Sequence, residues 1–346
     1  MSKLILSLDG GGIRGAASIQ FLCNVEAQLQ QNHQVSIRDC VDLYAGTSTG
    51  AIIALALATT ELTVDQINTL YNAKNAREIF TENRGLFEFD GINAPKYEAS
   101  GKTALLKRHF GTATLANAVK NNCHALAVTF GVEYHRPLIF KTTKPEHHDV
   151  LSYLIADASS AAPTYFPSVE VTDPEQDVSR WLVDGGVVAN NPTMCAIAES
   201  RRLWPDTAFE NVRVVSIGTG KRTRKVNGPD TTGWGALQWM RQGHIIDVLS
   251  DEQLVAYQAL TILPTGRYIR VNAQMKQQPG LPFPPDDAMD DISEANINKL
   301  KALGDMWFAQ YGQAVVAMLL NAYDGPSLDA IDPGTGTPLA RPEPGP

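Results

Sequence analysis

The chain has 346 residues, 44% apolar and 19% charged, which is enough for one large α/β core or two smaller ones. Its formal net charge of -8 excludes bulk nucleic-acid binding, so any recognition of anions has to be local. Cys23, Cys40, Cys123 and Cys195 are widely spaced with no C-x-x-C pair, which argues against a disulfide framework or a zinc knuckle.

The first apolar run, Lys3 to Leu8, is too short for a signal peptide and meets Asp9, so it reads as a buried strand. No run approaches the ~20 apolar residues of a membrane span. The expectation is a cytoplasmic protein that meets membranes peripherally. Asp9-Gly10-Gly11-Gly12-Ile13-Arg14-Gly15 follows the strand. A helix is expected from about Ala16 to Gln31, with Ile19, Leu22, Val25 and Leu29 on one face. Val41 to Ala45 is a second apolar strand, and it runs through Gly46-Thr47-Ser48-Thr49-Gly50 into the alanine-rich segment Ala51 to Ala58. Strand, Gly-x-Ser-x-Gly and helix in that order are the layout of a nucleophile elbow, in which the serine points out at the top of a sheet. Repeated βα units favour a mainly parallel sheet covered on both faces.

Residues 62–118 read as mainly helical, broken by a Gly/Asn/Pro region from Asn83 to Gly101 that carries Phe87 and Phe89. Residues 76–101 are either a lid over a site or a packed surface excursion. His124 to Tyr134 and Leu138 to Thr142 have the composition of paired strands. Leu151 to Ala162 is a small-residue helix stopped by Pro163, and Trp181-Leu182-Val183 is a short strand entering Asp184-Gly185-Gly186. Thr193 to Trp204 is helical, and Val212 to Ile217 is a strand entering Gly218-Thr219-Gly220. Asp247 to Ala259 and Ser293 to Ala322 are helical by periodicity, on either side of a Pro/Asp-rich loop from Gln277 to Asp291. One domain is expected over residues 1–322, followed by a Pro/Gly-rich tail (323–346), disordered or loosely docked.

Gly10-x-Gly12-x-x-Gly15 has two readings. It satisfies a dinucleotide-binding fingerprint, with Asp39 at a tolerable distance for a ribose contact. It also suits an oxyanion hole, because backbone N–H groups at a helix N-terminus favour negative charge. A serine nucleophile needs such donors nearby, and Ser48 favours the second reading. A P-loop is excluded, since Ala16-Ala17 stand where Lys and Ser/Thr are required. None of the seven histidines lies in the glycine-flanked strand-end context expected of a triad base, and His147-His148 read as a solvated loop. Asp184 is the better base: it ends an apolar strand at the sheet edge that carries Ser48. Its alternative role is to cap the Gly185-Gly186 turn.

Asp9-Gly-Gly-Gly-Ile-Arg-Gly15, Gly46-Thr-Ser-Thr-Gly50, Ala158-Ser-Ser-Ala-Ala-Pro-Thr-Tyr-Phe-Pro167, Asp184-Gly-Gly186 and Asn190-Asn191-Pro192 occur in this order. Together they resemble the patatin-like phospholipase family, from about residue 3 to 220 and more loosely to about 320. The resemblance implies a three-layer α/β/α fold and a calcium-independent lipid acyl hydrolase that uses no metal or other cofactor. It also implies Ser48 as nucleophile, Asp184 as general base, and an oxyanion hole around Gly10, Gly11 and Gly12, with Arg14 orienting the loop. The substrate implied is a membrane phospholipid.

Lys221, Arg222, Arg224 and Lys225 form a basic cluster that is either a solvated loop or a site for phosphate-bearing groups. Gly85-Leu86-Phe87 and the helical C-terminal region resemble bacterial phospholipase effectors switched on by a cyclic dinucleotide in anti-phage defence. That narrower likeness implies low basal activity and a nucleotide activator. Two other functions fit the same residues: an acyltransferase using the same acyl-serine, and a non-catalytic lipid- or nucleotide-binding module.

Overall fold

The computed structural model describes residues 2–83, 94–173, 178–222, 226–235, 238–239, 252–332 and 334–340. Strands β1 (Lys3–Leu8), β2 (Leu43–Thr47), β3 (His124–Gly131), β4 (Arg136–Lys141), β5 (Val169–Asp173), β6 (Val178–Asp184), β7 (Val212–Ile217), β8 (Tyr268–Val271), β9 (Leu328–Ile331) and β10 (Pro338–Ala340) join in one sheet. Its order is β10-β9-β8-β7-β1-β2-β3-β6-β5, with β4 on β3. From β9 through β3 the pairings are parallel, while β4, β5, β6 and β10 pair antiparallel.

The period-2 alternation of the strands sorts their side chains into two cores. Leu4, Leu6 and Leu8 of β1, Tyr44 of β2 and Ile269 and Val271 of β8 face one side. There they meet helices α1 (Gly15–His33), α3 (Thr49–Thr59), α6 (Ala99–Phe110), α8 (Ser152–Ser159) and α12 (Glu294–Leu319). Ile5, Leu43, Ala45, Leu126, Val128, Val214 and Tyr268 face the other side, against α10 (Thr193–Leu203) and α11 (Gln253–Ile262). The expected three-layer α/β/α fold with a mainly parallel centre is therefore what forms. Helix α3 is buried on every side, which explains an alanine-rich sequence with no polar face.

Shorter helices complete the chain: α2 (Ile37–Cys40), α4 (Val64–Asn68), α5 (Ala73–Ile79), α7 (Ala116–Lys120) and α9 (Gly186–Ala189). In α2, Asp39 closes a capping box, its carboxylate accepting the Ser36 N–H at 2.8 Å. That local role accounts for Asp39 without a ribose contact.

Two strands escape the sequence reading. β5 alternates apolar and polar residues but lies in a stretch to which the sequence assigns no element. β8 is four residues long and carries a fully buried Arg270, so its composition masks it. The Pro/Gly-rich end corrects another expectation. From Asp324 it was expected to be loose, yet β9 pairs with β8 and buries Leu328 and Ile331, and β10 folds back on β9. The turn between them is closed by the Asp332 N–H on the Thr337 carbonyl (2.9 Å) and the Gly336 N–H on the Asp332 carbonyl (2.8 Å). Here the Pro/Gly density builds a tight turn, whereas composition alone reads as disorder. His147 is also buried, at 3% exposure. Its Nδ1 accepts the Lys141 N–H at 3.1 Å, so it anchors the loop from within, contrary to the expected solvated site.

Candidate active site

Three loops at the carboxyl edge of the sheet converge. The first is the elbow. Ser48 sits at φ 55° and ψ −125°, a region few non-glycine residues occupy, at a cost of about 1–3 kcal/mol. The flanking glycines permit the sharp turn by close approach. A Cβ on Gly46 would lie 2.4 Å from the Gly50 carbonyl oxygen, and one on Gly50 would lie 2.1 Å from that of Leu8. α3 therefore starts directly on the ends of β1 and β2.

The second is the glycine loop after β1. Gly10 lies against the nucleophile: a Cβ placed there would be 3.1 Å from the Ser48 Cβ. The Gly10 amide, however, donates to the Asn190 carbonyl at 3.0 Å. This corrects the expectation that it is a free oxyanion donor. The Gly11 and Gly12 amides have no partner among the described residues, and Gly12 lines the pocket beside Ser48. Gly12 holds φ +59°, which a side chain would resist, and the next amide, Ile13, donates to the Met289 carbonyl at 2.9 Å. Arg14 is buried, and its guanidinium donates to the carbonyls of Gly11 (3.2 Å) and Gly220 (3.4 Å). It ties the glycine loop to the end of β7.

The third is Asp184, and the sheet topology explains how it reaches Ser48. A strand has two edges. β4 holds one edge of β3 from Leu126 to Gly131, and β2 holds the other from His124 to Val128. β6 pairs with Thr129 to Gly131, where the first edge is already taken, so it follows β2 along the second edge of β3. β6 descends and β2 ascends, and they meet end to end. Thr47 is opposite Val128 and Asp184 opposite Thr129, one residue further along.

Asp184 is 5% exposed. Its Oδ1 accepts the Gly186 N–H at 2.7 Å, so the turn-capping role is real and coexists with the carboxylate's position beside Ser48. Burial pushes its pKa up to about 6, against the pull of the Ser48 hydroxyl, the Gly186 amide and the Lys102 ammonium. Lys102 is itself buried. It is paired with Asp157 at 3.0 Å, donates to the Asp157 carbonyl and the Ser160 hydroxyl, and lies 4.5 Å from the centroid of the Phe166 ring.

Ser48 and Asp184 open onto a chamber between the elbow, α6 and the end of α8. Its walls are apolar: Ile13, Ile52, Leu70, Phe80, Leu105 and Phe166 among others. Among the described residues no histidine lines it. Phe80 and Ile79 come from the start of the segment expected as a lid, but residues 84–93, with Gly85-Leu86-Phe87, lie outside the described residues. So do Arg224 and Lys225 of the basic cluster, whereas Lys221 and Arg222 are half-buried.

A buried charge set behind the glycine loop was not foreseen. Arg270 binds both carboxylate oxygens of Asp9, at 3.0 and 2.5 Å, and also reaches Glu252 at 3.3 Å. Asp9 at the end of an apolar strand signalled a buried charge needing a partner, but nothing local identified it.

The patatin-like phospholipase family model matches residues 6–197. Patatin-like protein 2 of Oryza sativa subsp. indica is 29% identical, over 87% of this chain and 82% of that protein. Patatin-like protein 2 of Arabidopsis thaliana is 30% identical, over 71% and 68%. Patatin-08 of Solanum tuberosum is 27% identical, over 87% and 82%. VipD from Legionella pneumophila, a solved structure, aligns with 88% of this chain and 67% of that one at 12% identity and a TM-score of 0.38.

Proposed function

Because the chain belongs to the patatin-like phospholipase family, we propose that it hydrolyses acyl esters of phospholipids, with Ser48 as nucleophile and Asp184 as its base. The observation that carries this reading is the end-to-end meeting of β2 and β6, which leaves a buried carboxylate beside an elbow serine. A carboxyl group near pKa 6 is largely ionised at neutral pH, yet accepts a proton more readily than an ordinary aspartate. Asp184 takes the Ser48 proton as Ser48 attacks the ester carbonyl. The oxyanion is held by the Gly11 and Gly12 amides, which have no other partner among the described residues. The lysolipid leaves with the proton from Asp184. Water, deprotonated by the same carboxylate, then attacks the acyl-serine, and Asp184 returns that proton to the Ser48 oxygen as the fatty acid leaves.

The apolar chamber supports a fatty acyl chain as the group held during attack. Peripheral contact with the lipid surface is supported by Val188 (41% exposed), just past Asp184, by exposed Trp181 on β6, and by exposed Val132 in the turn after β3, whose N–H donates to the Trp181 carbonyl. Among the described residues no helix is long and apolar enough to cross a membrane.

The test is fatty-acid release from mixed phospholipid vesicles by wild type, Ser48→Ala and Asp184→Asn, in the presence of a calcium chelator. Release by wild type alone is expected; equal release by Ser48→Ala refutes the reading. Added alcohol acceptors separate an acyltransferase by its ester products, and a non-catalytic binding module would leave Ser48 unlabelled by a fluorophosphonate. The activator expected from the sequence enters as a further arm: a cyclic-dinucleotide panel should raise the rate, and constitutive activity without response removes that idea.

A further inference from the structure

We propose that Ser159 is a positioning residue for the nucleophile, a role that rests on Ser48 and Asp184 being the reacting pair. The edge of β3 passes from β2 to β6 between Val128 and Thr129. At that handover no single strand runs continuously, and the serine beside it is held at a backbone conformation its surroundings must impose. Ser159, at the last residue of α8 and wholly buried, fills the break. Its hydroxyl donates to the Val128 carbonyl at 2.6 Å and accepts the Ser48 N–H at 2.9 Å. A hydroxyl donates and accepts through one atom, and it is the smallest side chain that can make both bonds. Two residues on, the Ala161 carbonyl accepts the Asp184 N–H at 3.0 Å. The end of α8 therefore grips the backbone of both reacting residues and sets the distance between them. Ser159 touches neither substrate nor the reacting atoms.

The experiment uses a water-soluble short-chain ester, so that surface binding does not enter. Ser159→Ala is expected to lower kcat about 10- to 100-fold with little change in KM, as a small misplacement of a nucleophile does. The rate of fluorophosphonate labelling should fall in parallel, while the acid limb of the pH profile stays in place. Ser159→Thr, which restores the hydroxyl, should recover most of the rate. Ser200→Ala is the control for a purely structural loss: this serine is also buried, but its hydroxyl bonds only the Ile197 carbonyl in α10. Unimpaired kcat in Ser159→Ala, or equal losses in Ser159→Ala and Ser200→Ala, would overturn the proposal alone. A wild type as inert as Ser48→Ala would overturn the hydrolase reading and this proposal with it.

Discussion

Replacing Asp184 by asparagine should abolish hydrolysis and make the protein more stable. The carboxyl group has a pKa near 6 in the fold against an ordinary 3.8. Below about pH 4 it is protonated in both folded and unfolded chains, and the carboxyl form costs nothing. As pH rises from about 4 to about 6 the unfolded chain ionises first, so folding stability falls across that window. Above about 6 the loss is complete, and at 1.36 kcal/mol per pH unit it amounts to about 3 kcal/mol. Asparagine carries no such penalty. Its Oδ1 keeps the Gly186 N–H bond, and its amide can donate to the Ser48 hydroxyl. With an unfolding entropy of ~2.1 cal/mol/K per residue, 3 kcal/mol corresponds to a rise in Tm of ~4 °C for a chain of this size. Urea titrations of both proteins at pH 8 and pH 4 provide the assay. The variant should be the more stable at pH 8, and the difference should shrink towards zero at pH 4. A variant no more stable than wild type at pH 8, or a gain that does not depend on pH, would refute the burial argument for Asp184.

Three other outcomes follow from the same geometry. Turnover of a soluble ester should fall about tenfold per pH unit below pH 6, as Asp184 takes up its proton; a rate flat from pH 5 to 8 would count against it as the base. Arg270→Met leaves the Asp9 carboxylate buried without its partner and should cost about 3–5 kcal/mol in urea unfolding, with Asp9→Asn in the same chain recovering part of the loss. Trp181→Ser with Val188→Ser should weaken sedimentation with phosphatidylcholine vesicles several-fold while leaving soluble-ester turnover within about twofold, since each removes apolar surface exposed to water rather than lining the chamber.

What could be read from the sequence alone was local. Gly46 and Gly50 around Ser48 announce an elbow because a chain can turn that sharply only where side chains are absent, and the nearly continuous apolar runs of β1 and β7 announce strands buried on both faces. The glycine loop was legible for the same reason, though not the fate of each amide: that Gly10 is occupied depends on Asn190, far along the chain. Composition misread the C-terminal strands, because Pro and Gly mark a tight turn and a loose tail alike.

The sequence suggests the nearness of Ser48 and Asp184 through the strand-end context of Asp184 and through motifs shared with a family. Physically it arises because β6 runs along the edge of β3 that β2 leaves vacant, and strand pairing of that kind is invisible to any window of residues. The pKa of Asp184, the pairing of Asp9 with Arg270 and the bridge made by Ser159 share that origin. Each depends on burial and on contacts between distant segments, which exist only once the sheet has closed around them.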